Sequence, residues 1–356
     1  MDIGYFTLTD NPPAYGEQRR DSSQFFRDVI EEGVFADEIG LNSVWLPEHH
    51  FGLFGCLGAT STSLSYIAAK TKHVQLAPAT ILLPCNNPVQ IAEQFCTLDQ
   101  LSDGRAVFSA GRGYDKREYD VFGIPFEESR ERFDEGMLLV RKAMMEEDFT
   151  FHGKFSLIEH PITILPRPVQ LPHPPIYVAA FSRPTVEMAA RNGFNVIFAP
   201  FAASMMFGSL EAAVSEFKQL AQEAGFPDSK AKCSYFFGIA DSKEEELRLK
   251  ERVLFYLQSV TPAFPGDRAT APPHIAYFAD IVEKLLSMAP EDLGERSVMT
   301  GDPERCIEQL QAIEAAGIEE VILYFNMGAY PHPDTMRMME RCAKDILPAF
   351  AAGARA

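Results

Sequence analysis

The stretch "WLPEHHF" (45–51) sets a glutamate and two adjacent histidines directly after an apolar run. An imidazole titrates near neutral pH, so it can carry a proton at a reacting centre or ligate a metal. Side chains of sequence neighbours on extended backbone point to opposite sides, so His49 and His50 do not form a natural ligand pair. The other histidines available as extra ligands, at 152, 160, 173 and 332, give no H-x-x-x-H or H-x-H spacing. We therefore expect no metal site. His49, at the end of the apolar run, is the expected proton-transfer group, and His50 is expected to pack or cap.

Two further stretches suit an anion. In "GRGYDK" (111–116) Arg112 lies between glycines. Glycines let a ligand approach the backbone, and a guanidinium grips a phosphate with two parallel hydrogen bonds. In "YVAAFSRPTVEMAA" (177–190), Ser182 has the position of a helix N-cap, Pro184 follows just inside, and Thr185 adds a second hydroxyl. Ser182 as a cap alone is the commoner case. A helix N-terminus with two hydroxyls also binds phosphate. Together the two stretches suggest a phosphate-bearing cofactor. Phe6, Trp45, Phe181 and Phe198 would hold a flat ring, although core packing accounts for them equally well.

These residues need a scaffold that brings distant segments together. Short apolar runs at 3–8, 42–47, 73–79, 105–110, 175–180, 194–199, 232–240 and 319–325 are each followed by a segment of helical periodicity. Fully apolar strands between helices imply a parallel sheet covered on both faces. Eight such units favour a closed (β/α)8 barrel, a TIM barrel of the α/β class, over a doubly wound sheet. No G-x-G-x-x-G follows the first strand, which weighs against a dinucleotide fold. Barrel active sites lie at the C-terminal strand ends, and His49, Ala79, Thr80, Gly111, Arg112, Ser182 and Thr185 fall there.

Two segments interrupt the rhythm. Residues 149–172 alternate and carry several prolines, which suggests an insertion with short strands. Residues 260–297, with "TPAFPGDRATAPPH", suggest a mobile lid. Asp302 and Pro303 fit an N-cap and first helical residue. No linker or repeat divides residues 1–356, so one domain is expected.

The 356 residues are 46% hydrophobic, enough for a large core, and the net charge is −18. Such an acidic chain repels phosphate backbones and anionic lipid, which argues against nucleic-acid and membrane partners. Any anionic ligand must be held by a local arginine or backbone amides. The six cysteines are scattered without C-x-x-C, and the first residues lack a basic, apolar leader pattern. A cytoplasmic protein with reduced thiols is expected.

The segments "GYFTLTDNPP", "SVWLPEHHFGLFGCLG", "LAPATILLPCNNPVQIAEQFCTLDQLSDGRAVFSAGRGYDKREYDVFG" and "PIYVAAFSRPTVEMAARNGF" occur in order. With "GDPERCIEQLQAIEAAGIEEVIL" they resemble the bacterial luciferase-like flavin monooxygenases, and the luciferase α subunit in particular. The resemblance is weakest at 201–297. It implies a TIM barrel that takes reduced FMN (FMNH2) from a separate NAD(P)H:flavin reductase. It implies a C4a-peroxyflavin formed with O2, which oxidises a small-molecule substrate, and a homodimer. By the same resemblance His49 is catalytic, Arg112, Ser182 and Thr185 bind phosphate, and Ala79-Thr80 is a non-proline cis peptide beneath the flavin. Phe6, Gly111, Tyr114 and Ala180 are the remaining cofactor contacts it implies.

The departures also carry information. Gly111 replaces a reactive cysteine of the luciferase α subunit, Phe181 a glutamate, and Pro200 a tryptophan. They leave flavin binding intact as an expectation but not light emission or a long-chain aldehyde substrate. Two other readings remain open at this point. One is a deazaflavin (F420)-dependent hydride-transfer enzyme, whose anionic tail would want more basic residues at the barrel mouth. The other is a non-catalytic flavin-binding protein, against which His49 and the long lid weigh.

Overall fold

The computed structural model describes residues 1–264, 269 and 277–351. Its strands in chain order are β1 (Asp2–Phe6), β2 (Ser43–Leu46), β3 (Gln75–Pro78), β4 (Ile81–Leu82), β5 (Phe108–Gly111), β6 (Phe149–His152) and β7 (Leu157–Ile162). They continue as β8 (Ile176–Ala179), β9 (Asn195–Phe198), β10 (Ala231–Ile239), β11 (Val298–Gly301) and β12 (Glu320–Tyr324). The main helices are α1 (Ser22–Glu38), α2 (Thr60–Ala68), α3 (Pro88–Leu101), α4 (Lys116–Phe122), α5 (Ser129–Met145) and α6 (Arg183–Arg191). After them come α7 (Pro200–Phe207), α8 (Leu210–Glu223), α9 (Lys243–Ser259), α10 (Tyr277–Ser287), α11 (Pro303–Ala315) and α12 (His332–Asp345).

All pairings in the main sheet are parallel, in the order β3-β2-β1-β12-β10-β9-β8-β5-β4, the two-residue β4 following β3 directly in the chain. A parallel bridge between Leu76 and Ala106 joins β3 to the start of β5 and closes the ring. The eight strands expected from the apolar runs are therefore the eight of a (β/α)8 barrel. The pattern works because each strand buries both faces, one on the helices and one inside the barrel.

Inside the barrel, alternate residues of each strand stack in layers. The lowest layer is charged. Lys232 pairs with Glu320, which also accepts hydrogen bonds from Ser43 Oγ and from Asn42 Nδ2 at 2.9 Å. The Lys232 ammonium lies 4.6 Å from the Tyr177 ring centre and 5.0 Å from that of Trp45. Gly4 admits this layer, since a Cβ there would stand 2.2 Å from Ser43 Oγ. Above it Phe6, Trp45, Tyr177, Ile197, Ile322 and Tyr324 form an apolar cluster under the C-terminal end.

Three differences from the sequence expectations have physical causes. β11 is a short parallel strand beside β10; its four residues follow a polar turn and carry no apolar run of their own. α7 is apolar apart from Ser204, so it shows no helical periodicity to read. α4 is only seven residues long, begun by Asp115, whose carboxylate accepts the Arg117 N–H. The expected insertion at 149–172 contains the antiparallel pair β6–β7. Of the expected lid at 260–297, residues 265–268 and 270–276 lie outside the described residues, and α10 forms its second part. Asp302 caps α11 as expected, accepting the Arg305 N–H at 2.9 Å.

Candidate active site

A cavity of about 360 Å³ opens at the C-terminal ends of the barrel strands. A larger and more polar depression of about 580 Å³ lies at the opposite end, among Asp2, Gln75, Asn195 and Glu320. Barrel chemistry occurs at the C-terminal end, so the smaller, mainly apolar cavity is the candidate. It is lined by Phe6, His49, Ala79, Thr80, Gly111, Arg112, Tyr114, Ser182 and Thr185, nine of the ten residues expected from the sequence.

Ala180 is the exception. It is 1% exposed and packs in the outer core. Strand alternation explains this, because Tyr177 and Ala179 face the barrel interior and Ala180 faces away. Ala179 lines the cavity instead.

The paired histidines separate. His49 Nδ1 lies 3.7 Å from Glu118 Oε1, and its ring packs against Phe54 at 4.3 Å between centres, tilted by 30°. Glu118 also accepts the His50 backbone N–H at 2.8 Å. Burial works to raise the Glu118 carboxyl, but the His49 side chain and the His50 N–H outweigh it and hold the group below its usual range. The Glu118 carboxylate thus faces the Nδ1 edge of the His49 ring. His50 Nε2 instead meets Glu48 Oε1 at 2.8 Å, and its ring packs edge-on against Phe122. Glu48 is buried and accepts the Leu82 N–H and an Asn86 N–H at 2.8 and 2.9 Å. His50 thus braces the loop through Glu48.

Opposite lies a polar corner. Ser182 is the N-cap of α6 but makes no side-chain cap bond. Its Oγ lies 2.9 Å from Thr185 Oγ1. Arg130 donates to Thr185 Oγ1 at 3.1 Å and to Ser182 Oγ at 3.5 Å. Arg112 donates to Ser129 Oγ at 3.3 Å, and its carbonyl accepts the Tyr119 hydroxyl. Asp134 stands 3.7 Å from Arg130. Two guanidiniums and two hydroxyls thus converge here, a donor set suited to a phosphate.

Arg130 and Glu118 were missed from sequence. Arg130 sits in the charge-rich "ESRERFDEG" and reads as an ordinary solvated helix face. Glu118 had a usable signal, because Asp115 and Glu118 have the N-cap and N3 spacing of a helix start.

The Ala79–Thr80 peptide is cis. Gly111 faces Thr80, and a Cβ there would lie 2.4 Å from Thr80 Oγ1. In this chain Thr80 fills the space in which any side chain at position 111 would begin.

The cavity wall is braced by a buried acid. Asp10 accepts the hydroxyls of Tyr15 and Tyr324 and the Gly328 N–H, and Tyr324 lines the cavity. Burial pushes the Asp10 carboxyl from 3.8 up to about 7, against these hydrogen bonds. The folded state therefore binds more protons than the unfolded chain between those values, and the Asp10 contribution to stability falls as pH rises through that window. We expect the stability of the parent relative to Asp10→Asn to decline from pH 4 to pH 7 in urea unfolding. A difference that does not change with pH would contradict the assignment.

Among the described residues, no group of three or more His, Cys, Asp or Glu side chains is placed to hold a metal, and all six cysteines are free. No helix of the described residues is long and apolar enough to cross a membrane.

Residues 1–320 match the luciferase-like monooxygenase family, and the chain belongs to it. The chain is 32% identical to the alkanal monooxygenase alpha chain of Photorhabdus luminescens over 63% of its own length, and the match spans 60% of that relative. It is 27% identical to the oxygenase component of the flavin-dependent trigonelline monooxygenase of Acinetobacter baylyi, over 92% of this chain and 91% of the relative. The solved monooxygenase RslO1 from Streptomyces bottropensis superimposes with a TM-score of 0.81 at 26% identity, covering 99% and 100% of the two chains. An F420-dependent glucose-6-phosphate dehydrogenase of Amycolatopsis mediterranei is 26% identical over 92% of this chain and 95% of its own length.

Proposed function

We propose that this chain is the oxygenase of a two-component monooxygenase. It takes reduced FMN from a separate NAD(P)H:flavin reductase and uses O2 to oxidise a small organic substrate. The observation that carries this reading is the meeting, in one mainly apolar cavity, of Arg112, Ser182 and Thr185 with His49, the two hydroxyls being held from behind by Arg130. The corner would hold the phosphate, and Phe6, the Ala79–Thr80 peptide, Gly111, Tyr114 and Ala179 would border the ring. Bound reduced FMN supplies the two electrons with which one atom of O2 enters substrate and the other leaves as water.

The protein's own work is positioning, exclusion of water and proton transfer. Phe181 and Met205 at the rim, and the stacked Tyr114 and Phe264 rings at 4.6 Å, cover the cavity with apolar surface. His49, oriented by Glu118, carries the proton the reaction requires.

F420-dependent hydride transfer is the second reading, favoured by the F420-dependent relative. Among the described residues, the cavity offers only Arg296 as a cation beyond Arg112, which suits a long anionic tail poorly. Anaerobic titration with reduced FMN and with reduced F420, followed by oxygen-electrode assays with an added flavin reductase, separates the readings. Tighter binding of reduced FMN with substrate-dependent O2 uptake supports the oxygenase. Binding of F420 alone, with no O2 uptake, would reject it.

A further inference from the structure

We infer that the substrate carries an anionic group on an otherwise apolar body, and that Arg296 binds that group at the rim of the cavity. The cavity has two sides. One is made by the ends of the barrel strands and contains the polar corner. The other is made by α9, α10 and the turn before β11, where Tyr256, Leu257, Val260, Leu285, Met288 and Leu293 present apolar surface. Among the described residues, Arg296 is the only charged one lining that second side.

The state of the other charged lining residues makes Arg296 distinctive. Glu48 is matched by His50, Leu82 and Asn86. Asp115 is matched by Arg117, and Glu118 by His49 and His50. Arg112 belongs to the opposite corner. Arg296 is exposed and, among the described residues, has no hydrogen-bond or ion-pair partner.

Its presentation is fixed from both sides. Leu293 is 2% exposed in the barrel-interior cluster, and the turn closes with Ser297 N–H to Gly294 O at 2.9 Å. Glu295 turns outward to Arg305 at 3.1 Å, and Val298 begins β11. The neighbouring Ser297 also lines the cavity. In a chain of net charge −18, the general field repels anions, so an unmatched arginine at the mouth gives a local preference that the rest of the surface opposes. A carboxylate or similar planar anion is the group a free guanidinium fits best.

This inference deepens the proposed function, but its test does not require flavin chemistry. Benzoate, 2-naphthoate and decanoate would each be compared with their methyl esters by titration calorimetry. The protein would be the parent, Arg296→Gln, Arg296→Lys and Arg112→Ala, each with and without FMN. We expect at least one acid to bind the parent about tenfold more tightly than its ester, the size of one charge-assisted hydrogen-bonded contact. Arg296→Gln should remove that preference, Arg296→Lys should keep part of it, and FMN affinity should not change in either. The inference is overturned if no acid is preferred, if the preference survives Arg296→Gln, or if it is lost only in Arg112→Ala. A loss of FMN affinity in Arg296→Gln would also overturn it, by assigning the arginine to the cofactor. An Arg296-dependent acid preference in a protein that does not bind FMN would leave the inference standing and reject the flavin reading.

Discussion

Replacing His49 with alanine is expected to leave FMN binding near the parent value and to lower turnover by roughly 10²–10⁴-fold, the usual contribution of a positioned acid or base. The geometry supports a selective effect. His49 lines the cavity with 16% of its side chain exposed, and Glu118 and Phe54 hold the ring from behind. The loop itself is held by other contacts, namely the His49 N–H to Leu57 O at 2.8 Å and the His50–Glu48 pair. Removing the imidazole therefore should not release the loop. Partial rescue by added imidazole would separate proton transfer from a structural role. Full activity in the variant would remove His49 from the chemistry, and a matching loss of stability and FMN binding would make it a packing residue.

Arg112→Ala is expected to weaken FMN by about 10- to 100-fold, because a phosphate loses a charge-assisted partner worth about 1.5–3 kcal/mol. Riboflavin, which has no phosphate, supplies the control. Its affinity should be almost the same in the parent and the variant, so the variant should distinguish the two flavins poorly. Arg130→Ala should act in the same direction, since Arg130 holds Ser182 and Thr185 in place and adds the second positive charge. Fluorescence titration of both flavins reads the effect. Equal losses for FMN and riboflavin would show that the phosphate sits elsewhere.

The barrel was legible because its strands are apolar on both faces, and eight such runs separated by helical segments admit few other folds. That same regularity located the mouth, so His49, Arg112 and the Ser182–Thr185 pair could be assigned to neighbouring strand ends. What the residues alone left open was function as against packing. Ser182 illustrates this. From sequence it is an N-cap first, and only the structure shows its hydroxyl engaged with Thr185 and Arg130 instead of the helix backbone. Arg130 was invisible because a functional arginine and a solvated one look alike in a charged helix. Ala180 was misplaced by one residue, which on a strand reverses the face. The paired histidines show the opposite case. Their divergence on extended backbone was predictable, and each has its own carboxylate partner, Glu118 for His49 and Glu48 for His50.

The central claim is that this cavity holds reduced FMN and controls its reaction with oxygen. The direct test is to mix the protein anaerobically with reduced FMN and follow a pulse of oxygenated buffer by stopped-flow absorbance. The expected result is a transient distinct from both reduced and oxidised FMN, longer-lived than anything seen with free reduced FMN, whose decay a true substrate accelerates. Oxidation at the rate of free reduced FMN, with no transient, would contradict it.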